Sequence, residues 1–240
     1  MSGREQLQQM IQQAKSVVFF GGAGVSVPSG IPDFRSADGL YNQKYDYPPE
    51  QIISHSFFCR NPEEFYRFYK DRMLYPDAKP NAAHRKLAEM EKAGKLRAVV
   101  IQNIDGLHQA AGSRQVFELH GSVHRNYCMR CGRFYSLEEI MQMPGVPRCS
   151  CGGMIKPDVV LYEEALDSAV LEGALRAIAE CDLLIIGGTS LAVYPAAGLV
   201  RQLPRFAKLV VINKTPTPSD SAADLVLHES IDLALDSVVL

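Results

Sequence analysis

The sequence has no tryptophan, no apolar run long enough to span a membrane and no excess of basic residues. A membrane-spanning helix needs about 18 or more consecutive apolar residues, and no apolar run here reaches that length. Its 25 Lys and Arg are balanced by 27 Asp and Glu, so the composition predicts no surface for nucleic-acid phosphates. We therefore expect neither a membrane nor a nucleic acid as a direct partner.

The N-terminal residues lack the basic segment and apolar core of a secretion signal. Leu7, Met10, Ile11 and Ala14 recur instead at helical spacing, which predicts an amphipathic helix. A cytoplasmic protein is the expectation, with a monomer as the default state. The 240 residues suit one large domain with an inserted lobe.

Six short apolar runs predict strands that are buried on both faces. They lie at residues 16–20, 98–101, 116–119, 182–186, 208–212 and 224–227. Helical patterns lie between them at 62–73, 81–93 and about 195–202, with His84 in a structural position in the first turn of the second. This alternation indicates an α/β protein with a parallel, doubly wound sheet.

A glycine-rich stretch, Gly21 to Arg35, follows the first predicted strand. Gly22 and Gly24 would let backbone N–H groups approach a pyrophosphate. The dinucleotide-binding pattern G-x-G-x-x-G is incomplete, because Val27 stands where its third glycine would be. On the glycines alone a structural turn is an equal alternative, whereas the loop Pro32-Asp33-Phe34-Arg35 favours a ligand site.

Polar residues follow the other predicted strands as well. Asn103 and Asp105 come after the second strand, His120 after the third and Asn213 after the fifth, while Gly187-Gly188-Thr189-Ser190 ends the fourth. The carboxyl ends of parallel strands share one edge of a sheet, where ligands bind, so these residues are expected to converge.

Four of the six cysteines are clustered, at Cys128, Cys131, Cys149 and Cys151. In a reducing compartment this spacing indicates metal, and four thiolates form a closed, structural zinc site. A single residue separates the last two, which is tighter than usual. His124 in place of one thiolate is the alternative. Cys59 and Cys181 have no partner at motif spacing and are expected to be buried.

Several motifs together resemble those of the sirtuins, the NAD-dependent protein-lysine deacylases, of bacterial or archaeal type. The resemblance covers nearly the whole chain, and its motifs occur in the family's order. They are Gly22-Ala23-Gly24-Val25-Ser26 with Gly30-Ile31-Pro32-Asp33-Phe34-Arg35, Gln102-Asn103-Ile104-Asp105 with Leu107-His108, Leu119-His120-Gly121, the four cysteines, Gly188-Thr189-Ser190 and Asn213.

The resemblance implies a Rossmann-like NAD-binding domain made of residues 1–41, 85–122 and 158–240. A helical module, 42–84, and a zinc-ribbon module, 123–157, would form a small lobe held by one structural zinc. NAD and an acyl-lysine protein or peptide would meet in the cleft between domain and lobe.

The resemblance also implies the residues that bind NAD. Gly22, Ala23 and Gly24 would line the pyrophosphate, and Phe34, Ile104 and Asp105 the nicotinamide. The full implied set is Gly22, Ala23, Gly24, Asp33, Phe34, Arg35, Gln102, Asn103, Ile104, Asp105, His120, Gly188, Thr189, Ser190, Asn213 and Ile231.

In the family mechanism the acyl oxygen attacks the anomeric carbon of the nicotinamide ribose and expels nicotinamide. His120 would be the general base for a ribose hydroxyl, and Asn103 would orient ribose and water. NAD is consumed, and the products are nicotinamide and O-acyl-ADP-ribose.

The substrate lysine would lie extended beside residues 157–162, in contact with Val160, Leu161 and Tyr162. Its backbone would pair with this segment and with the one after Ser190. The sequence departs from the family at two places. In the glycine-rich stretch Val27 replaces a frequent threonine, and in the substrate segment Tyr162-Glu163-Glu164 replaces Phe-Gly-Glu.

Tyr69 and Arg72 resemble the Tyr-x-x-Arg pair that holds succinyl- or malonyl-lysine in some sirtuins. In the alternative, Tyr69 packs in the helical lobe and Arg72 is solvated. We expect deacetylation first, with desuccinylation or demalonylation, mono-ADP-ribosyl transfer and a non-catalytic NAD-sensing module as the other functions.

Overall fold

The computed structural model describes residues 2–33, 46–191 and 196–240. In chain order its elements are α1 (Gly3–Gln13), β1 (Val17–Gly21), α2 (Pro49–Ile52), α3 (His55–Arg60), α4 (Pro62–Arg72), α5 (Ala82–Lys92), β2 (Leu96–Ile101), α6 (Leu107–Ala110), β3 (Val116–Glu118), β4 (Gly121–Cys128), β5 (Phe134–Tyr135), α7 (Leu137–Gln142), β6 (Ile155–Val159), α8 (Ser168–Ala179), β7 (Leu183–Gly187), β8 (Lys208–Ile212), β9 (Leu225–Leu227) and α9 (Ile231–Asp236). Short 3-10 helices lie at Ala23–Val25, Val27–Ser29, Ala196–Gln202 and Asp220–Ala222.

The large sheet has six strands in the order β3-β2-β1-β7-β8-β9. Every neighbouring pair is parallel. All six predicted strands are therefore confirmed. The first strand, β1, lies in the middle of the sheet. Strands β2 and β3 extend the sheet on one side of it, and β7, β8 and β9 extend it on the other.

Neighbouring residues of the central strand contact different layers, because successive side chains of a strand point to opposite faces. Val17 and Phe19 pack in a core with α1, α5 and α9. Val18 and Phe20 pack in a second core with α8 and the 3-10 helix Ala196–Gln202. Helices thus cover both faces, which confirms the predicted doubly wound α/β fold.

Two of the predicted helices begin at capped residues. Asn61 caps α4, and Asn81 caps α5 by accepting a hydrogen bond from the Ala83 N–H at 2.9 Å. His84 completes the second cap, since its Nδ1 accepts from the Asn81 N–H at 3.3 Å. The structural position predicted for His84 is confirmed.

The small lobe combines an antiparallel sheet, β5-β4-β6, with helices α2 to α4. The two parts share one aromatic core, in which Phe58, Phe65 and Tyr66 pack edge to face. The Tyr66 hydroxyl donates to the carbonyl of Ile155 in β6, which joins the helices to the sheet. The domain limits given above stay a prediction. The part of the chain that the structure describes contains no helix with the length and hydropathy of a membrane span.

Candidate active site

A cleft of about 1110 Å³ lies at the carboxyl ends of the parallel strands and is also lined by the small lobe. Most of the predicted site residues that the structure describes line this cleft: Ala23, Gly24, Asp33, Arg72, Gln102, Asn103, Ile104, Asp105, His120, Val160, Leu161, Tyr162, Gly188, Thr189, Ser190, Asn213 and Ile231. Phe34 and Arg35 fall outside the described residues.

The glycine loop after β1 packs tightly against the loop after β7. The N–H of Gly24 donates to the carbonyl of Gly188 at 2.8 Å, and that of Gly22 donates to Gly187 at 3.3 Å. A Cβ on Gly24 would lie 2.8 Å from Gly188 Cα, and one on Gly22 would lie 2.8 Å from Thr189 Cβ. Both N–H groups thus join the two loops, and the placement of Gly22 and Gly24 along the pyrophosphate stays a prediction.

Ser26 connects two of the predicted NAD-binding residues. Its hydroxyl donates to the Asp105 carboxylate at 2.6 Å and accepts from the Asn103 amide at 2.9 Å. The other Asp105 oxygen accepts from the Leu107 N–H at 2.9 Å, so this carboxylate is fixed from two sides. Ser26 is buried. It belongs to the first matched motif, but no role was predicted for it.

His120 follows β3 and is held through one ring nitrogen. Its Nδ1 lies 2.9 Å from the Gln102 carbonyl oxygen, which accepts only from a protonated nitrogen. The neutral ring therefore carries its proton on Nδ1 and leaves Nε2 as the basic nitrogen. Burial lowers the pKa of His120, while the hydrogen bond to Gln102 acts in the opposite direction.

Gln102 also reaches across the sheet. Its side-chain amide donates to Thr189 Oγ1 at 3.2 Å, so the β2 and β7 strand ends are linked. Further along the cleft, the Asn213 amide donates to the Thr215 carbonyl at 2.7 Å. Ile231 begins α9 and is buried.

The segment predicted to pair with substrate already uses its N–H groups. Val160 donates to the His120 carbonyl at 3.0 Å, and Tyr162 donates to the Ile53 carbonyl at 3.0 Å. Leu161 donates to the Glu164 carboxylate at 2.9 Å. A peptide paired with this segment would therefore use its carbonyl groups rather than these N–H groups, and the pairing stays a prediction. The side chains of all three residues line the cleft. The segment after Ser190, the other predicted partner of the peptide, includes residues 192–195, which lie outside the described residues.

Glu163, where the family often has glycine, adopts a left-handed conformation with φ of 76°. Such a conformation costs a non-glycine residue about 1 kcal/mol or more. Its carboxylate accepts from the Ser56 N–H at 2.8 Å and from the Ser56 hydroxyl at 3.0 Å, at the start of α3. These bonds to a helix N-terminus offset the cost.

Tyr69 and Arg72 do not form a shared pocket wall. Tyr69 is fully buried and stacks on Phe65, with ring centroids 5.6 Å apart and an interplanar angle of 12°. Arg72 lines the cleft, and its Nε lies 2.7 Å from an Asp71 carboxylate oxygen. Tyr69 as a substrate contact needs correction, because packing in the helical lobe is what the structure shows.

The four clustered cysteines have their sulfur atoms within 4.8 Å of one another. Sγ of Cys128 lies 3.5 Å from that of Cys151, and Sγ of Cys131 lies 3.6 Å from that of Cys149. Zinc–sulfur bonds of about 2.3 Å in a tetrahedron place the sulfurs about 3.8 Å apart, so the cluster fits a zinc ion.

His124 is not part of this cluster. Its Nε2 donates to the Asp105 carbonyl at 3.0 Å, and the ring lines the cleft. The alternative in which His124 replaces a thiolate is therefore wrong. None of the four cysteines is among the described residues that line the cleft, which agrees with a structural metal.

Comparisons with known proteins agree with this geometry. The model of the Sir2 family matches residues 22–195. An NAD-dependent protein deacetylase of Clostridium perfringens is 58% identical over 236 residues, covering 97% of each chain. One of Clostridium acetobutylicum is 54% identical over 238 residues, covering 98% of this chain and 97% of its own. A solved structure described as Sir2 bound to acetylated peptide has a TM-score of 0.84 and 38% identity, covering 98% of this chain and 96% of its own.

Proposed function

The chain belongs to the Sir2 family, and we propose that it is an NAD-dependent protein deacetylase that transfers the acyl group of a protein lysine, acetyl first, to ADP-ribose. Relatives that are 54–58% identical over nearly the full chain carry the name NAD-dependent protein deacetylase. NAD is the co-substrate that is consumed, and acyl-lysine proteins or peptides are the partners.

The observation that carries this proposal is the environment of His120. Its ring is neutral near pH 7, it lines the cleft, and its basic nitrogen is the one not held by Gln102. A base of this kind takes the proton of a ribose hydroxyl, so that the oxygen attacks the acyl carbon. Asn103, held by Ser26, lies at the end of the neighbouring strand and orients the ribose and water.

The remaining predicted residues are assigned to different parts of NAD according to their position along the cleft. Asp105 accepts a hydrogen bond from the nicotinamide carboxamide, and Ile104 packs against the ring. Gly22, Ala23 and Gly24 lie along the pyrophosphate. The riboses and adenine are held by Gln102, Gly188, Thr189, Ser190, Asn213 and Ile231. Asp33, Phe34 and Arg35 complete the NAD-binding set.

On the substrate side, Val160, Leu161 and Tyr162 form the wall against which the acyl-lysine lies. Their N–H groups are occupied, so a paired peptide would donate hydrogen bonds to carbonyl groups of this segment, and side-chain contact would add to the affinity. Zinc supplies no chemistry at the cleft. Cys128, Cys131, Cys149 and Cys151 would hold it as a structural ion.

An acyl-peptide panel with NAD tests the function. Wild type should release nicotinamide and form O-acyl-ADP-ribose, whereas His120→Asn should lower kcat by about 10²–10⁴-fold. His228→Gln, compared at saturating NAD, is the control. This histidine is outside the described lining of the cleft but lies 3.2 Å from the Asn213 carbonyl, so any effect should fall on KM for NAD and not on kcat. Mass spectrometry separates the products: ADP-ribosylated protein in place of O-acyl-ADP-ribose would indicate a transferase, and NAD binding without turnover would indicate a sensor.

We further propose a cytoplasmic monomer that binds no nucleic acid and no membrane. The balance of 25 Lys and Arg against 27 Asp and Glu supports the absence of a nucleic-acid surface. Light scattering on the purified chain tests the monomer, and limited proteolysis tests the domain limits of 1–41, 85–122 and 158–240 against the modules at 42–84 and 123–157.

A further inference from the structure

We propose that Cys59 is a thiol-modification site, at which His55 and Glu164 promote exchange with small disulfides and whose adduct weakens peptide binding. Cys59 had been expected to be buried, but it is exposed near the end of α3, whereas Cys181 is buried as expected. This cluster lies outside the machinery assigned to NAD and is not used by the proposed chemistry.

The three side chains are arranged as nucleophile, base and orienting acid. Sγ of Cys59 lies 3.5 Å from His55 Nε2, one helical turn earlier. His55 Nδ1 lies 2.7 Å from a Glu164 carboxylate oxygen. Because the carboxylate accepts the Nδ1 proton, Nε2 of the neutral ring has its lone pair available for the thiol.

Glu164 is held in place by other donors. Its second oxygen accepts from Lys156 Nζ at 3.0 Å and from the Leu161 N–H at 2.9 Å. These bonds lower the pKa of Glu164 and outweigh the opposing effect of burial, so the acid is ionised near neutral pH. One oxygen of the Glu164 carboxylate therefore contacts His55, while the other is held by Lys156 and Leu161.

The reaction needs no reagent beyond the disulfide itself. His55 Nε2 accepts the thiol proton while the Cys59 sulfur bonds to one sulfur of the disulfide, whose S–S bond breaks. The leaving thiolate takes the proton from the imidazolium. Cys59 thiol and disulfide therefore become one mixed disulfide and one free thiol.

The site is connected to the wall of the substrate cleft. The His55 N–H donates to the Tyr162 carbonyl at 2.9 Å, and Glu164 accepts from the Leu161 N–H. An adduct on Cys59 displaces the His55 ring from Glu164 and disturbs both of these residues. This part of the proposal rests on the proposed function, because it assigns the wall to acyl-peptide binding.

The first experiment treats zinc-loaded full-length enzyme with the neutral probe bis(2-hydroxyethyl) disulfide and maps the adducts by mass spectrometry. We expect Cys59 to be modified first and at least about tenfold more slowly in His55→Gln. His228→Gln and Cys181→Ser should leave the rate unchanged. The folded protein should also react faster at Cys59 than the same chain unfolded in guanidinium, a comparison that needs no variant. Equal rates in either comparison would overturn the site.

The second experiment measures kinetics before and after modification. The adduct should raise KM for the acyl peptide several-fold, leave KM for NAD unchanged and have no effect in Cys59→Ser. An unchanged peptide KM in the adduct would overturn the link to the cleft. Mapping of the adduct does not depend on turnover, so a protein that releases no nicotinamide even when unmodified would contradict the proposed function alone.

Discussion

The Ser26 hydroxyl lies 2.6 Å from the Asp105 carboxylate, although the two residues are 79 positions apart. The contact joins the loop after β1 to the loop after β2. Because Ser26 also accepts from Asn103, one buried hydroxyl sets the positions of an acid and an amide at the cleft. If these residues bind NAD as proposed, the cofactor would meet groups that are already arranged.

Ser26→Ala should lower kcat/KM for NAD by about 10–100-fold. The loss of a hydrogen bond to an ionised carboxylate costs about 1.5–3 kcal/mol, and Asn103 loses its acceptor as well. Steady-state kinetics with varied NAD check this. Ser16→Ala is the control, because Ser16 directly precedes the N-terminal end of β1 and is outside the described lining of the cleft. Equal kinetics for the two variants would show that Ser26 does not order the site.

The acid limb of kcat/KM should have its midpoint below pH 6.5. Burial lowers the pKa of His120, so its neutral, basic form persists to lower pH than in an exposed histidine. A profile measured over pH 5–8 tests the sign. A midpoint above 6.5 would mean that His120 is not the base or that a nearby acid dominates its titration.

Acid should destabilise the fold through His84. Burial lowers its pKa to about 4, and it packs against the buried His108 with ring centroids 4.6 Å apart. The unfolded chain binds a proton near pH 6.5, so stability is lost as pH falls from 6.5 toward 4. Between pH 7 and pH 5 the protonation of His84 in the unfolded chain lowers the free energy of unfolding by about 2 kcal/mol.

His84→Gln keeps a residue able to complete the α5 cap and should remove that part of the pH dependence. Denaturant unfolding at pH 5 and pH 7 gives the two free energies for each protein. If the variant loses as much stability as wild type between these pH values, His84 does not contribute.

Cys151→Ala should abolish zinc binding, whereas His124→Ala should keep one zinc per chain. The four sulfurs have the separations of a tetrahedral site, and His124 is bonded to Asp105 instead. Metal analysis of the purified proteins tests this, with Cys181→Ala as the control. Zinc retained in Cys151→Ala but lost in His124→Ala would reverse the ligand assignment.

Arg72→Ala should not selectively reduce desuccinylation. Tyr69 is buried in the aromatic core, so only one half of the carboxylate-binding pair lines the cleft. The ratio of kcat/KM for succinyl and acetyl peptides measures this, and Arg67→Ala on the same helix is the control. A selective loss on the succinyl peptide would restore the acid-binding pocket.

Much of this protein could be predicted from its sequence because the large sheet is buried on both faces. Each strand is then a continuous apolar run, and the carboxyl-end rule places His120, Asn103 and Asp105 together. The paired cysteine spacing likewise indicated the metal cluster. The small antiparallel sheet was not predicted strand by strand, since β4 carries polar residues such as His124 and Arg125 in its middle.

Contacts that depend on tertiary packing could not be predicted. Ser26 meets Asp105 only after β1 and β2 pair, and no local pattern gives that distance. The glycines after β1 match the pattern of a phosphate-binding turn. The structure gives a further reason for glycine here, because a Cβ on Gly22 or Gly24 would clash with the loop after β7. The exposure of Cys59 depends on which face of α3 packs inward, and Phe57 and Phe58 determine that face.

Strand β4 begins at Gly121, next to His120, and ends at Cys128, a metal-cluster residue. Eight residues of strand span roughly 26 Å, and the pairing of β4 with β6 shifts register between Ser122 and Asn126. If the four cysteines hold zinc, removal of the metal would loosen the Cys128 end of a strand whose other end adjoins His120. We therefore expect chelation to act on the cleft only indirectly, through the backbone of β4.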